Sequence, residues 1–233
     1  MDSVLKKTAD FSKPAHQADH VAEDMLPTVS AIVVTYHSGP RLKECIHALC
    51  ANKEVTEIII VNNGNDELMT EWLKRFNSAH RKCDVHLITS PGNIGMGAGV
   101  NLGVKKAKSE CLLIINPDAV LKVGSIPALE VARRLGEGPC LVGGKIYYQN
   151  GEEQRGGRRE LLTLPRAIVS FSGLSKFEGL FPAFRNLHRE KDPEPEGPVQ
   201  MPVISGAFCY ISREDFDLVE GFDERYFLHV EDI

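Results

Sequence analysis

The feature that most constrains this chain is an alternation of short apolar runs with amphipathic segments, which begins after Pro27. The first run, VSAIVVTY (Val29–Tyr36), is continuous and rich in β-branched residues, which is typical of a strand buried on both faces. The segment that follows, residues 41–52, places its apolar side chains on one face of a helix. Together they predict one strand–helix unit.

The same unit recurs along the first half of the chain. We predict further strands at residues 57–63, 85–90 and 111–116 and further helices at residues 66–80 and 92–109. Strands that alternate with helices are joined by right-handed crossovers and form a mostly parallel sheet with helices on both faces. The predicted fold class is therefore α/β, with a doubly wound central sheet.

The two ends of the chain differ from this regular part. Residues 1–27 are polar, mixed in charge and without periodicity, so we expect a flexible N-terminal arm. From about Val142 the alternation gives way to mixed segments and to a Pro/Glu-rich loop at residues 188–202. No internal repeat and no firm linker divides the chain, and we therefore expect residues 28–233 to form one domain.

The composition excludes several broad classes of protein. With 233 residues and 42% hydrophobic content, the chain can bury a substantial core. A net charge of -5 argues against a general nucleic-acid binder, which needs a basic surface. A phosphate-bearing ligand would therefore have to be held by a few basic groups, by backbone amides or by a cation.

The six cysteines form no CxxC pair, and several lie inside apolar runs. We expect reduced, buried thiols in a cytoplasmic protein. The trio Cys45, His47 and Cys50 has the spacing of an ordinary helix and lacks the second ligand pair of a typical zinc site.

No segment predicts secretion or a membrane span. The N-terminus lacks the apolar core of a signal peptide, and no run of about 18 apolar residues occurs. Large apolar residues between 161 and 187 recur at roughly helical spacing beside basic ones, although Gly173, Gly179 and Pro182 interrupt them. Three interpretations stay open for this segment: core packing, a homo-oligomer contact, or peripheral contact with the inner face of a membrane.

Polar residues follow each predicted strand at its carboxyl end. They are Thr35, Tyr36 and His37 after the first strand, Asn62 and Asn63 after the second, the turn from Gly92 after the third, and Asn116-Pro117-Asp118 after the fourth. In doubly wound sheets, ligands bind outside the carboxyl ends of the strands, where the strand order reverses. The pattern therefore predicts a polar ligand at this edge of the sheet.

Asp118 follows a buried-type strand almost directly, because the apolar run CLLIIN stops at Pro117. Pro117 stiffens the turn and removes an N–H group that would otherwise need a partner. A carboxylate at this position can ligate Mg²⁺ or Mn²⁺, hard cations that bridge protein oxygens and phosphate oxygens. Taken alone, the motif is also compatible with a simple strand-to-turn boundary.

The segment GNIGMGAGVNLG (Gly92–Gly103) resembles a dinucleotide-binding fingerprint only superficially, because its glycine spacing differs and it follows the third strand. Its glycines predict a close approach of the backbone to a ligand. Asn93 and Asn101 add hydrogen-bonding groups. The alternative interpretation is a plain helix N-terminus.

Taken together, these strand-end motifs, Gly221-Phe222-Asp223-Glu224 and the final Glu231-Asp232 resemble the family 2 inverting glycosyltransferases with the GT-A fold. Within that family the likeness is to the rhamnosyltransferase-like branch. It covers roughly Ser30 to Ile233. The long glycine/asparagine segment combined with a strand-terminal Asn-Pro-Asp is the specific part of the resemblance.

The resemblance implies a Rossmann-like GT-A domain. Residues 28–125 would form its nucleotide-binding half, and residues 126–233 its acceptor and catalytic half. It also implies a chain truncated at its C-terminus, because relatives continue beyond Ile233 with another acid and a helix.

The implied activity is transfer of a sugar, with rhamnose as the first guess, from a dTDP- or UDP-linked donor to a saccharide or lipid-linked acceptor. Such transfer would proceed with inversion and serve polysaccharide or cell-wall biosynthesis. Asp118 would hold Mg²⁺ or Mn²⁺ at the family's metal position. The other residues implied to contact the nucleotide are Thr35, Tyr36, Asn62, Asn93, Gly95, Gly97, Asn101 and Asn116. The family usually carries Asp where Asn62 stands, so the base preference is open.

An inverting transfer needs a carboxylate that removes the proton of the acceptor hydroxyl. Asp232 matches the catalytic aspartate of the family. The residues implied to line the donor-sugar or acceptor side are Ser205, Gly206, Ala207 and Glu231, and weaker candidates for this pocket or for structural hydrogen bonds are Asp223 and Glu224.

Two other functional classes remain as alternatives. One is a non-catalytic nucleotide-binding or scaffold protein, and the other is a nucleotidyltransferase that makes sugar nucleotides. The second would require a Gly-rich loop with basic residues after the first strand, of which TYHSGPR (Thr35–Arg41) is a faint version.

Overall fold

The computed structural model describes residues 26–79, 83–161 and 195–227, with a few further positions between 163 and 193. The predicted N-terminal arm therefore lies almost entirely outside the described residues. The described chain falls into two compact units. The first contains the chain up to Gly144 and again from Gly206, and the second is Lys145–Ser205.

Eight strands and five helices are described. The strands in chain order are β1 (Val29–Thr35), β2 (Val55–Asn62), β3 (Asp84–Thr89), β4 (Cys111–Ile115), β5 (Val142–Gly143), β6 (Arg158–Arg159), β7 (Val203–Ile204) and β8 (Phe208–Ser212). The helices are α1 (Arg41–Ala51), α2 (Glu67–Ala79), α3 (Met96–Val104), α4 (Ser125–Leu135) and α5 (Arg213–Leu218).

The first unit is built on a six-stranded sheet with the order β3-β2-β1-β4-β8-β5. The first four of these strands are mutually parallel, and β8 runs antiparallel to both of its neighbours. The predicted α/β fold with a mostly parallel sheet is confirmed.

The core of this unit lies around the two central strands. Every residue of β1 and of β4 is buried, which explains why both segments are continuous apolar runs instead of alternating ones. Helix α1 buries the face predicted from its periodicity, formed by Leu42, Cys45, Ile46 and Leu49. Full burial of one such aliphatic side chain is worth about 1.5–3 kcal/mol, so these runs determine which segments become central.

The strand order reverses between β1 and β4. From β1 the chain proceeds outward through β2 and β3 on one side, and it then crosses to the other side to form β4. A reversal of this kind leaves a crevice outside the carboxyl ends of the two strands. The position of the crevice therefore follows from the topology alone.

The second unit contains the antiparallel pair β6–β7 and an isolated bridge between Tyr147 and Glu153. Arg158 supports it with an ion pair to Glu153, at 2.8 Å between Nε and Oε1. Most of the apolar segment at residues 161–187 lies outside the described residues. Of the helices that the structure describes, none has the length and apolar composition needed to span a membrane.

Candidate active site

A cleft of about 290 Å³ opens at the reversal point of the sheet. Its lining residues come from the loop after β1, the start of α1 and the turn after β4; they are Ser38, Gly39, Arg41, Leu42, Asn116, Pro117 and Asp118. The structure thus brings the predicted Asn116–Asp118 motif against the segment that follows β1.

The turn after β4 is held in place by three hydrogen bonds to the backbone of Asn116. The Asn116 N–H donates to the carbonyl of Ala207 at 2.9 Å, and the Asn116 carbonyl accepts from Ala119 N at 3.1 Å. The thiol of Cys45 on α1 also donates to the Asn116 carbonyl, at 3.6 Å. With the turn fixed and stiffened by Pro117, Asp118 lies exposed at the mouth of the cleft.

The charge of Asp118 acts on its surroundings. Burial raises the pKa of the Cys45 thiol to about 12, and the Asp118 carboxylate contributes to this increase. Cys45 therefore stays a neutral thiol at physiological pH and serves as a weak donor and a packing group. It is not a nucleophile of the cleft.

The Asp118 carboxylate could bind a divalent cation that a second ligand also coordinates. In the part of the chain that the structure describes, no three His, Cys, Asp or Glu side chains converge into a preformed metal site. A single exposed carboxylate fits Mg²⁺ or a similar hard cation, which often binds through one or two carboxylates and completes its shell with phosphate oxygens and water. A divalent ion at Asp118 would therefore need further ligands beyond this one carboxylate, such as phosphate oxygens or water.

Two predicted nucleotide-contacting residues organise the loops after β1 and β2. The Asn62 side-chain oxygen accepts from Gly64 N at 3.2 Å, from Asn65 N at 3.0 Å and from Asn65 Nδ2 at 2.8 Å. The Thr35 hydroxyl is fully buried and lies 2.7 Å from the Ser38 hydroxyl. Both side chains shape the rim of the crevice, and their predicted contact with base and ribose stays a prediction.

Tyr36 presents an aromatic surface at the end of β1. Half of the residue is exposed, and its ring meets the imidazole of His37 edge to face, with 4.3 Å between centroids. Gly64 lies close to the ring, because a Cβ at that position would lie 3.3 Å from Tyr36 Cε2. The tyrosine is thus held against the β2 loop with one side open.

The glycine-rich segment packs against the chain itself. A Cβ on Gly95 would lie 2.7 Å from the Phe227 carbonyl oxygen, and a Cβ on Gly97 would lie 3.1 Å from Phe222 Cβ. Asn101 bonds the Phe222 backbone twice, accepting from N at 3.0 Å and donating to O at 2.8 Å. The glycines predict a close approach of the backbone to a ligand. In the structure, residues 222–227 of the chain itself make this close approach.

Asn93 contributes to the same loop. Its side-chain oxygen accepts from Gly95 N at 3.1 Å, and Asn63 Nδ2 donates to the Gly95 carbonyl at 3.0 Å. These bonds stabilise the loop before α3 at the positive φ of Gly95. The side chain of Asn93 is exposed at the carboxyl edge of the sheet.

The remaining predicted residues divide into described and undescribed positions. Ala207 lies beside Asn116, as noted above, with Gly206 preceding it in the first unit, whereas Ser205 ends the second unit. Glu231 and Asp232 lie outside the described residues.

Asp223 and Glu224 make structural hydrogen bonds. Asp223 accepts from Arg225 Nε at 2.9 Å, and hydrogen bonds from Arg225 lower the pKa of Asp223 to about 2. Glu224 accepts from Asn101 Nδ2 at 3.0 Å. Of the two roles considered for this pair, structural hydrogen bonding is the one observed.

Sequence reasoning did not assign Ser38 and Arg41 to the site, although both line the cleft. The signal was present in the TYHSGPR segment, where a short polar loop with a basic residue follows the first strand. Only the placement of α1 beside the Asn116 turn relates Arg41 to Asp118.

Comparison with known proteins is consistent with this geometry. The model of the family described as "Glycosyl transferase family 2" matches residues 30–219. The N-acetylglucosaminyl-diphospho-decaprenol L-rhamnosyltransferase of Mycobacterium tuberculosis is 26% identical over 226 residues, which cover 90% of this chain and 68% of the relative. The low-salt glycan biosynthesis hexosyltransferase Agl10 of Haloferax volcanii is 23% identical over 217 residues, covering 91% of this chain and 62% of the relative.

Solved structures support the GT-A fold. The mannosyltransferase PcManGT of Pyrobaculum calidifontis, in complex with GDP-Man and Mn²⁺, aligns with a TM-score of 0.53 at 16% identity over 94% of this chain. GalNAc-T7 with UDP, GalNAc and Mn²⁺ aligns with a TM-score of 0.56 at 16% identity over 88% of this chain. This chain spans 52% of the first and 38% of the second.

Proposed function

Because the chain belongs to glycosyl transferase family 2, we propose that it transfers a sugar from a nucleotide-diphosphate sugar to a saccharide or lipid-linked acceptor, with inversion. The named activity of the mycobacterial relative, an L-rhamnosyltransferase for a diphospho-decaprenol acceptor, favours rhamnose and a lipid-linked acceptor. A dTDP- or UDP-linked donor fits this proposal.

The observation that carries the proposal is the exposed carboxylate of Asp118 at the reversal point of the sheet, in a cleft that also contains Arg41. A diphosphate bound in this cleft would lie near the Asp118 carboxylate, which could hold a cation, and near the Arg41 guanidinium. Arg41 is exposed at the first position of α1, where the positive end of the helix also favours an anion. The chain has a net charge of -5, so such local groups are required for phosphate binding.

Asp118 is the residue that would hold Mg²⁺ or Mn²⁺, with Asn116 beside it in the cleft. The bound ion supplies Lewis-acid stabilisation of the charge that develops on the departing nucleoside diphosphate. Tyr36, with one side open, is suited to pack against the nucleobase. Asn93, exposed at the same edge, offers the N–H groups of its amide to the ribose or phosphates.

We propose Asp232 as the base that takes the proton of the acceptor hydroxyl while the sugar leaves the diphosphate. General-base catalysis requires this carboxylate within hydrogen-bond reach of that hydroxyl. Glu231, Ser205, Gly206 and Ala207 are proposed to line the sugar side of the pocket.

The first prediction concerns Asp118→Asn. We expect Mn²⁺-dependent affinity for UDP or dTDP to fall by at least about tenfold, because Asp118 would be a charged ligand of the ion and its replacement would weaken binding of the ion together with the diphosphate. Isothermal titration calorimetry with each nucleotide, with and without Mn²⁺, measures this. The matched control is Asp217→Asn, an exposed carboxylate on α5, which should bind like the wild type. Equal affinity of Asp118→Asn and wild type would disprove the assignment.

The second prediction concerns Asp232→Asn in a protein that extends as far as its relatives do. Turnover should fall by about 10²–10⁴-fold, the usual contribution of a general base, while nucleotide affinity stays unchanged. A panel of sugar nucleotides, tested first for hydrolysis and then for transfer, identifies the donor and provides the assay. Asp217→Asn is the reference variant. If Asp232→Asn turns over as fast as this reference, Asp232 is not the base.

A further inference from the structure

Two cysteines that the site does not use lie in contact at the opposite edge of the sheet. Cys50 is in the last turn of α1 and Cys83 directly precedes β3, and their sulfur atoms are 2.9 Å apart. Both residues belong to the first unit. Because α1 runs antiparallel to the strands, its C-terminal end lies at the amino edge of the sheet, away from the nucleotide cleft.

The pair combines one partly exposed residue with one buried residue. Cys50 is partly exposed, whereas Cys83 is only 7% exposed. The hydrogen bond between the two thiols lowers the pKa of Cys83 and raises that of Cys50. A small reagent can approach the pair from the side of the partly exposed Cys50, and the Cys83 sulfur already lies beside that of Cys50.

The pKa values of other cysteines in the unit are also raised, so acidity does not set Cys50 apart from them. Burial raises the pKa of Cys111 and Cys140. Burial and the Asp118 carboxylate raise the pKa of Cys45 to about 12. Disulfide closure requires two sulfur atoms within reach of each other, and the Cys50 and Cys83 sulfur atoms are already in contact. Oxidation to a disulfide is thus expected at the Cys50–Cys83 pair.

We infer that Cys50 and Cys83 form an oxidation site that closes to an intramolecular disulfide by exchange with a low-molecular-weight disulfide such as oxidised glutathione. One cysteine thiolate attacks the reagent and releases one reagent thiolate, which leaves a mixed disulfide. The other cysteine thiolate then attacks the protein sulfur of that mixed disulfide and releases the second reagent thiolate. The protein thiols lose two electrons and two protons, and the reagent is reduced to two thiols.

The bridge closes a loop that contains β2 and α2. It therefore restricts the unfolded chain across a central strand while leaving the carboxyl edge of the sheet unchanged. We expect oxidation to raise the unfolding temperature by roughly 5–10 °C and to leave Mn²⁺-dependent nucleotide affinity unaltered.

The test uses the whole purified chain, reduced with dithiothreitol and then incubated with oxidised glutathione. After denaturation, maleimide should label all six cysteines of the reduced protein and two fewer in the oxidised protein, and peptide mapping should recover a Cys50–Cys83 crosslink. Thermal unfolding should show the temperature increase, and dithiothreitol should reverse it.

Cys50→Ser and Cys83→Ser should each abolish the crosslink and the increase, whereas Cys140→Ser should retain both. Peptide mapping of the wild type needs no variant, so a variant that does not fold leaves the test intact. Recovery of glutathione on Cys50 without the intramolecular link, or of a link between other cysteines, would overturn the inference. This outcome is independent of the sugar-transfer activity.

Discussion

Glu130 carries a carboxylate in the interior of the first unit, with no exposed surface. It accepts hydrogen bonds from Arg133 Nε at 2.9 Å, from Arg134 Nε at 2.6 Å and from the Tyr210 hydroxyl at 3.0 Å. Burial by itself would raise the pKa of Glu130, but the hydrogen bonds from these partners outweigh it and lower the pKa. The residue therefore stays ionised and links α4 to β8.

Glu130→Gln should destabilise the protein at neutral pH by about 2–3 kcal/mol. Removing one partner of a buried ion pair costs roughly 3–5 kcal/mol, and the partly exposed guanidinium of Arg134 can recover part of this by hydration. Because the folded pKa lies below the unfolded one, the stabilisation is present above the ordinary Glu pKa of about 4.3 and is lost as pH falls through the folded value.

Urea unfolding at neutral and acidic pH measures this difference. The gap between wild type and Glu130→Gln should be largest near neutrality and should narrow on acidification. Glu71→Gln is the matched control, because Glu71 pairs with Lys74 on the exposed surface of α2 and should change the midpoint little. Equal effects of the two substitutions would contradict the proposed role of the Glu130 cluster.

At the scale of elements, α3 lies unusually close to β1. A Cβ on Gly103 would lie 2.7 Å from Ile32 Cγ2 and 3.4 Å from Val61 Cγ2, and a Cβ on Gly99 would lie 2.8 Å from Val34 Cγ1. These neighbours are β-branched and buried, so they cannot rotate away cheaply. The glycines therefore permit the packing distance that brings the loop before α3 to the site.

Gly103→Ala should destabilise the protein by about 1–3 kcal/mol, because overpacking at this contact outweighs the gain of up to about 1 kcal/mol in helix propensity. Denaturant unfolding at neutral pH provides the measurement. Gly92→Ala is the control, since a Cβ there meets nothing within 4 Å. A Gly103→Ala protein at least as stable as the wild type would show that the helix can move outward without cost.

At the scale of the whole molecule, the strand–helix repeat that ends with β4 and the later part of the chain contribute strands to the same sheet. β8 is inserted beside β4, with Ile115 opposite Phe208, and this pairing brings Ala207 to the Asn116 turn. The edge that carries Asp118 therefore depends on a strand that follows the entire second unit in sequence. The chain spans 68% of its mycobacterial relative.

By itself, the sequence determined the buried central strands, the α/β class and the family, and it predicts the edge at which a ligand would bind, because continuous apolar runs and strand-end polar residues are local patterns. Burial of β1 and β4 and exposure of Asp118 follow directly from them. The tertiary structure decided which groups come together: Arg41 and Asp118 in one cleft, the glycines against residues 222–227, and Cys50 against Cys83. Each of these pairings joins segments that are distant in sequence, and their separation is set by strand order and register, which no local pattern encodes.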